Sequence, residues 1–501
     1  MSTRWAAANE AGVPPARSMS TAVSVEDAKS FKALKKDRLY AEHIKIYPKA
    51  VAGRFRTIKW AVLGVLLGIY YVVPWLRWDR GPGAPDQAVL IDLPGRRAYF
   101  FWIEIWPQEV YYLTFLLMLG AFGLFLATSV AGRVWCGFTC PQTVWTDLFM
   151  WVERKIEGDR GARIRLDKAP LTREKVVRKG LKHAAWLAIA AATGGAWIMY
   201  FNDAPTVTAA ILTGNASLAV YFFFGLFTAT TYLLAGFARE QVCTYMCPWP
   251  RFQAALLDQD SYVVSYQKWR GEPRAPLKKS ADWAGRGDCI ACNQCVAVCP
   301  MGIDIRDGLQ LECIGCGLCI DACNDVMARI GRPPELITLD TERNQELRAA
   351  GASPVRRFVR PRTIVYAAIL VLIGSGMLIG LSARAAVDVN VLHDRNPLFV
   401  TLSDGSIRNG YTVKILNKSR EPQVYELSVA GLEGATLSVV GEARAGPTEL
   451  AARPDAVTTY RVHVSAPRAA LDGEAEDLMM ILTDRASGAT ARHETVFRGP
   501  E

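Results

Sequence analysis

Long apolar runs separated by basic and polar connections give the first part of this chain the hydropathy rhythm of a membrane protein. Five uncharged stretches, Trp60 to Leu76, Val110 to Val130, His183 to Phe201, Leu218 to Phe237 and Ile364 to Ala383, reach or approach the ~20 residues needed to cross a ~30 Å hydrocarbon core. Aromatic residues suited to the membrane interface stand at their ends: Tyr70, Tyr71 and Trp75, then Tyr111 and Tyr112, then Trp197 and Tyr200. From Val387 the apolar period changes to two. Tyr411, Val413 and Ile415 alternate with Thr412 and Lys414, and Tyr460, Val462 and Val464 alternate with Arg461 and His463. With further runs at Tyr425 to Val429 and Leu478 to Thr483, and a turn signal at Asn409-Gly410, the tail predicts an immunoglobulin-like sandwich of ~100 residues.

Charge orients the spans. Lys45, Lys49, Arg54, Arg56 and Lys59 precede the first, a run from Arg154 to Lys182 follows the second, and Arg356, Arg357, Arg360 and Arg362 precede the fifth. Those sides are expected to be cytoplasmic, because Lys and Arg near spans are retained inside. The net charge of +10 then belongs to a positive-inside membrane protein, and without a nucleic-acid motif it predicts no nucleic-acid partner. The first 27 residues lack the apolar core of a cleavable signal and predict a disordered lead. All twelve cysteines fall on the expected cytoplasmic side, where a reducing environment keeps thiols free for clusters and metals.

Eight of those thiols write a two-cluster ferredoxin pattern: Cys289-x-x-Cys292-x-x-Cys295-x-x-x-Cys299-Pro300 and Cys313-x-x-Cys316-x-x-Cys319-x-x-x-Cys323. In this pattern the fourth cysteine of each run ligates the other cluster. One [4Fe-4S] cluster is therefore assigned to Cys289, Cys292, Cys295 and Cys323, and the second to Cys313, Cys316, Cys319 and Cys299. A pair of zinc sites is the competing assignment, but zinc ribbons use two separated pairs rather than triplets at spacing three. The second run ends Cys323-Asn324 where the pattern usually has proline, which alters the turn and not the ligand count.

The other four cysteines lie just beyond the second and fourth spans, in Arg133-Val-Trp-Cys136-Gly-Phe-Thr-Cys140-Pro141 and Arg239-Glu-Gln-Val-Cys243-Thr-Tyr-Met-Cys247-Pro248. The first four spans thus form two hairpins, each ending in Cys-x-x-x-Cys-Pro. On a helix, cysteines four apart share a face, and Pro141 and Pro248 are expected to end the helix before them. Cu(I) suits such soft donors, and zinc or a further iron-sulfur cluster is also chemically acceptable. Met246 is a potential thioether, more naturally a packing residue. His43, His183, His393, His463 and His493 are scattered, with no His-x-x-x-His pair in a span.

The stretches from Arg133 to Arg154 and from Glu240 to Arg274, followed by the ferredoxin motifs, resemble the cytochrome c oxidase accessory family known as CcoG, FixG or Rdx. Asp92-Leu-Pro-Gly-Arg-Arg97, Trp106-Pro-Gln-Glu109, Arg395 to Val400 and Ile407 to Tyr411 carry the resemblance through nearly everything after about residue 40. It implies a bacterial inner-membrane polyferredoxin that reduces Cu(II) to Cu(I) for assembly of a cbb3-type oxidase. On this resemblance Cys136, Cys140, Cys243 and Cys247 handle copper as catalytic residues, and the eight ferredoxin cysteines carry electrons from an unidentified cytoplasmic donor. The implied partners are copper, oxidase assembly factors or subunits, copper chaperones or transporters, membrane lipid and, as an option, a second copy in a homodimer. A NapH-like quinol dehydrogenase subunit and a non-enzymatic assembly scaffold are the alternatives.

The expected fold is an α-helical membrane protein with five transmembrane helices, a cytoplasmic two-cluster ferredoxin-like α+β domain and a C-terminal all-β immunoglobulin-like sandwich. Its segments are 1–56, a cytoplasmic lead; 57–250, four membrane helices; 251–362, a cytoplasmic domain with the cluster module at about 283–330; 363–386, the fifth span; and 387–501, a periplasmic sandwich.

Overall fold

A computed structural model describes residues 45–500 except 82, 278–282, 384–386, 420, 442–447, 455 and 472. The expected disordered lead and His43 lie outside the described residues. The chain divides into two compact units, one running to Gly376 and the other from Met377, the latter also taking up Asp79–Asp86.

Among the described residues four helices are long and apolar enough to cross a membrane: Arg54–Trp75, Tyr111–Ala131, Leu218–Ala238 and Pro361–Ser382. The first is α1 (Arg54–Val72) prolonged by a 3-10 turn, and the second is α2 (Tyr111–Ala131). Then come the amphipathic α3 (Pro141–Glu157) and the long α4 (Arg173–Met199). α5 (Leu218–Leu233) and α6 (Pro361–Ser382) complete the long helices. The expected third span corresponds to α4, which has the length but not the composition. Its first ten residues are strongly basic and its remainder is rich in Ala and Gly. Ala190, Thr193, Gly194, Gly195 and Ala196 of this helix are buried, and a Cβ on Gly194 would come within 2.9 Å of the Thr228 backbone nitrogen on α5. Small residues at such a seam let two helix backbones approach closely.

The loop expected between the first two spans instead forms a three-stranded antiparallel meander. Its strands are β1 (Val89–Asp92), β2 (Arg97–Phe100) and β3 (Ile103–Ile105), with Leu90 opposite Tyr99 and Tyr99 opposite Glu104. In the ferredoxin-like region, β4 (Val263–Tyr266) pairs antiparallel with β5 (Ile337–Asp340). That region is tied to the start of α1 by Asp321 on the Leu318–Arg329 helix. Its carboxylate accepts the backbone N–H groups of Phe55 at 3.2 Å and Arg56 at 2.7 Å. Two of the N–H groups that a helix leaves unpaired in its first turn are thereby satisfied by a residue far along the chain.

The second unit is a two-sheet sandwich. Five strands are met first: β6 (Val387–His393), β7 (Val400–Thr401), β8 (Ile407–Asn417), β9 (Gln423–Ala430) and β10 (Thr436–Val439). Four follow: β11 (Thr448–Ala452), β12 (Ala456–Ala466), β13 (Ala475–Asp484) and β14 (Thr490–Arg498). One sheet runs β10-β12-β8-β6 with β7 on β8, and the other runs β11-β9-β13-β14. The inward positions, among them Tyr411, Val413, Ile415, Leu427, Val462, Leu482 and Phe497, form one apolar core between the sheets. The expected turn at Asn409-Gly410 is corrected, since both residues lie inside β8. Asn409 is fully buried. Its amide donates to the Arg498 carbonyl at 2.7 Å, and its carbonyl accepts the Arg498 N–H at 2.9 Å. Gly410 leaves room for Asp394, whose carboxylate oxygen would stand 2.6 Å from an added Cβ.

Candidate iron-sulfur and thiol site

The two ferredoxin runs fold into matching loops. Ala291 and Asn293 have φ of 51° and 57°, and Gly315 and Gly317, at the corresponding places of the second run, have 70° and 72°. Repeated left-handed residues curl the backbone so that its N–H groups turn inward, a form suited to an anionic centre. Cys289, Cys292, Cys295 and Cys323 line one cavity, and Cys299, Cys313, Cys316 and Cys319 line a second. Cys295 reaches the edge of both. The fourth cysteine of each run therefore stands with the triplet of the other.

Neither cavity is lined by histidine or carboxylate among the described residues. Burial pushes the Cys295 thiol up to about 12, and Cys299, Cys319 and Cys323 are also raised, again chiefly by burial. Thiolates placed there need a positive centre to stabilise them. Among the described residues no three His, Cys, Asp or Glu side chains converge tightly enough for a single metal ion. A cubane is wider than an ion and takes its thiolates around a cavity, so the residues present fit [4Fe-4S] clusters.

The two Cys-x-x-x-Cys-Pro motifs are geometric twins. Each is a single π-helical turn, Trp135–Thr139 and Val242–Met246, closed by the second cysteine. The Cys140 N–H donates to Trp135 and the Cys247 N–H to Val242, both at 2.8 Å. Such turns are rare and concentrate at functional sites. Pro141 does not merely end a helix: it opens α3 at the first helical position, where its missing N–H costs nothing. Four residues before the first cysteine of each motif the chain turns through positive φ, at Gly132 (60°) and Arg239 (40°). The strained Arg239 is held by its guanidinium, which donates to the Gly236 carbonyl at 2.8 Å and to Glu153 at 3.0 Å.

The first thiol of each motif is perturbed by its surroundings. Burial pushes Cys136 and Cys243 up to about 12, and neighbouring thiols add to the effect: Cys140, Cys243 and Cys247 on Cys136, and Cys140 and Cys247 on Cys243. The two motifs meet, with Cys243 packed against the apolar cluster that contains Cys136. Gln253, on the Trp249–Leu256 helix, accepts from the Cys136 thiol at 3.1 Å and donates to Thr128 at 3.3 Å. Met246 is 64% exposed.

This thiol group abuts the second cavity. Cys136 and Cys316 belong to one apolar cluster, with Cys243, Cys299 and Cys313 packed against it. A Cβ on Gly137 would come within 2.9 Å of the Ile314 carbonyl and 3.1 Å of the Cys316 nitrogen, so only hydrogen fits between the two loops. Arg133 fastens them. Its Nη1 donates to the Leu311 carbonyl and, at 2.8 Å, to the Cys313 carbonyl, while its Nη2 donates to the Pro250 carbonyl at 3.1 Å. Sequence reasoning quoted Arg133 and Gly137 but gave them no role, and it missed Gln253. Their partners lie 117 or more positions away, and no spacing rule reaches that far.

Comparison with known proteins agrees. Residues 238–342 match a family described as 4Fe-4S dicluster domain, residues 113–158 a 4Fe-4S binding domain, and residues 377–500 the IG-like fold at the C-terminus of FixG. The chain is 49% identical over 492 residues to nitrogen fixation protein FixG of Rhizobium meliloti, covering 92% of this chain and 94% of that one. It is 50% identical over 468 residues to protein RdxB of Cereibacter sphaeroides, covering 92% and 97%. A more distant similarity, 26% over 226 residues, links 42% of this chain with 66% of the ferredoxin-type protein NapH of Haemophilus influenzae. Identity near one half across nearly the whole of both chains means that this iron-sulfur electron-transfer protein belongs to the FixG/Rdx family.

Proposed function

We propose that this protein is a cupric reductase that delivers Cu(I) for assembly of a cbb3-type oxidase, with Cys136, Cys140, Cys243 and Cys247 as the copper-handling thiols. Cys289, Cys292, Cys295 and Cys323 hold one [4Fe-4S] cluster, and Cys313, Cys316, Cys319 and Cys299 hold the other. When bound, the clusters supply one-electron carriers of low potential. The observation that carries the reading is the direct packing of the Cys136 loop on the Ile314–Cys316 loop.

The thiols' part is to bind copper while it takes one electron, Cu(II) + e⁻ → Cu(I). Soft sulfur ligands favour the cuprous product, which pulls the reaction forward. Copper passes through as substrate, so the thiols need not converge as the ligands of a resident ion would: a transient cuprous ion does not demand the closed tetrahedron of a structural zinc. Basic loops on one side of the spans support a cytoplasmic position for the thiols and clusters, with the sandwich periplasmic and α4 serving as a fifth span.

Protein reduced anaerobically and given Cu(II) should lose cluster electrons in step with Cu(I) captured by a chelator. Cys243→Ala/Cys247→Ala should abolish that conversion and leave the iron content unchanged. Retained conversion in this variant would overturn the copper assignment. The NapH similarity favours a second reading, quinol oxidation. Reduced protein that ignores Cu(II) but exchanges electrons with quinone would establish it in place of the first.

A further inference from the structure

We propose a second binding site in the helical unit, for the phosphate of an anionic headgroup, in a cavity of about 210 Å³ between α1, α3 and the ferredoxin-like loops. Lys49, Arg56 and Arg154 line it against a single carboxylate, Asp147. That carboxylate is already taken: Arg56 Nη1 donates to both of its oxygens at 2.9 Å, and Lys59 stands 3.8 Å away. The other terminal nitrogen of Arg56, a residue 7% exposed, is buried without a hydrogen-bond partner. Among the described residues the guanidinium of Arg154 makes no hydrogen bond or ion pair, although the residue is half-buried. Native structures rarely leave such donors unmet, and a phosphate oxygen is the acceptor that a guanidinium fork fits best.

The surroundings indicate what carries the phosphate. Trp60 and Trp151 line the cavity and meet edge to face at 6.2 Å. Trp60 lies two turns into a helix apolar enough to span a membrane, at the end that carries the basic residues. Tryptophan belongs at the headgroup level, and basic pockets between membrane helices accept phospholipid headgroups. Val298, Pro300 and Leu318 close the other wall, so the bound phosphate would sit beside the loops that hold Cys299 and Cys319. This inference does not depend on copper being the substrate.

The test uses the full-length protein in nanodiscs and in detergent. Native mass spectrometry should find phosphatidylglycerol retained in preference to phosphatidylcholine. Arg154→Gln should weaken that retention about tenfold, the worth of one charge-assisted hydrogen bond, and Arg154→Lys should restore part of it. Unchanged iron content and visible spectrum would show that the variants are folded. Should Arg154→Gln fail to fold, Lys49→Gln on the rim should give a smaller loss of the same kind. Tryptophan fluorescence that responds to inorganic pyrophosphate, with no lipid preference, would place the same site in the service of a soluble phosphate. Equal lipid retention by wild type and variants, with no response to pyrophosphate, would overturn the proposal.

Discussion

Single residues decide how closely the thiol loop approaches the second cluster cavity. Gly137 has no room for a methyl group against Ile314 and Cys316, so Gly137→Ala should destabilise this junction by about 1–3 kcal/mol through overpacking. Thermal bleaching of the iron-sulfur absorbance should detect the loss. The crossed ligand pattern makes a sharper prediction. Cys299→Ser and Cys323→Ser should each remove about half of the bound iron, but only Cys299→Ser should also stop the proposed copper reduction, because its cavity is the one beside Cys136. Iron analysis with EPR of the reduced variants would separate them. Protonation follows from burial: with thiols pushed up to about 12, each of Cys136 and Cys243 that ligates copper must first release a proton at neutral pH. Apparent Cu(I) affinity should therefore rise about tenfold per pH unit for each such thiol, measurable by chelator competition. At this scale the grouping of the eight ferredoxin cysteines around two cavities was legible, since it follows from a spacing that repeats along the chain. The roles of Arg133, Gly137 and Gln253 were not, since they consist of contacts with distant loops.

Among the elements, α3 does most of the positioning. Its Glu153 is fully buried and receives Arg239 at 3.0 Å, Arg163 at 3.1 Å and Lys182 at 3.9 Å. One carboxylate thus braces the strained approach to the second thiol motif. Glu153→Gln would leave these cations without their common anion, and a loss of about 3–5 kcal/mol is expected, seen as a lower melting temperature with wild-type iron content at low temperature. The length of the uncharged apolar runs revealed α1, α2, α5 and α6 directly, because a helix that faces lipid is apolar around much of its circumference. α4, expected as a span, falls short of the others in apolar composition. It packs its small residues against α5, and a helix covered by protein needs less apolar character of its own. The strands of the sandwich followed from alternation, but Asn409-Gly410 misled. A buried asparagine that bonds across to Arg498 has the same letters as a turn.

Over the whole molecule, the two units differ in what sustains them. The sandwich core is built from side chains alone, whereas the cores of the ferredoxin-like region contain the eight ferredoxin cysteines. Removing iron with a chelator under reducing conditions should therefore open the region around residues 283–340 to protease and leave 387–500 resistant, as mass spectrometry of the fragments would reveal. Arg133 adds a kinetic corollary. By clasping the thiol loop to the Leu311 and Cys313 carbonyls, it makes the thiols and the second cluster cavity one body. On the proposed function, electron arrival at the thiols should then be first order in protein, with the same half-time in a tenfold dilution, and no added soluble ferredoxin should compete with a partner that never diffuses away.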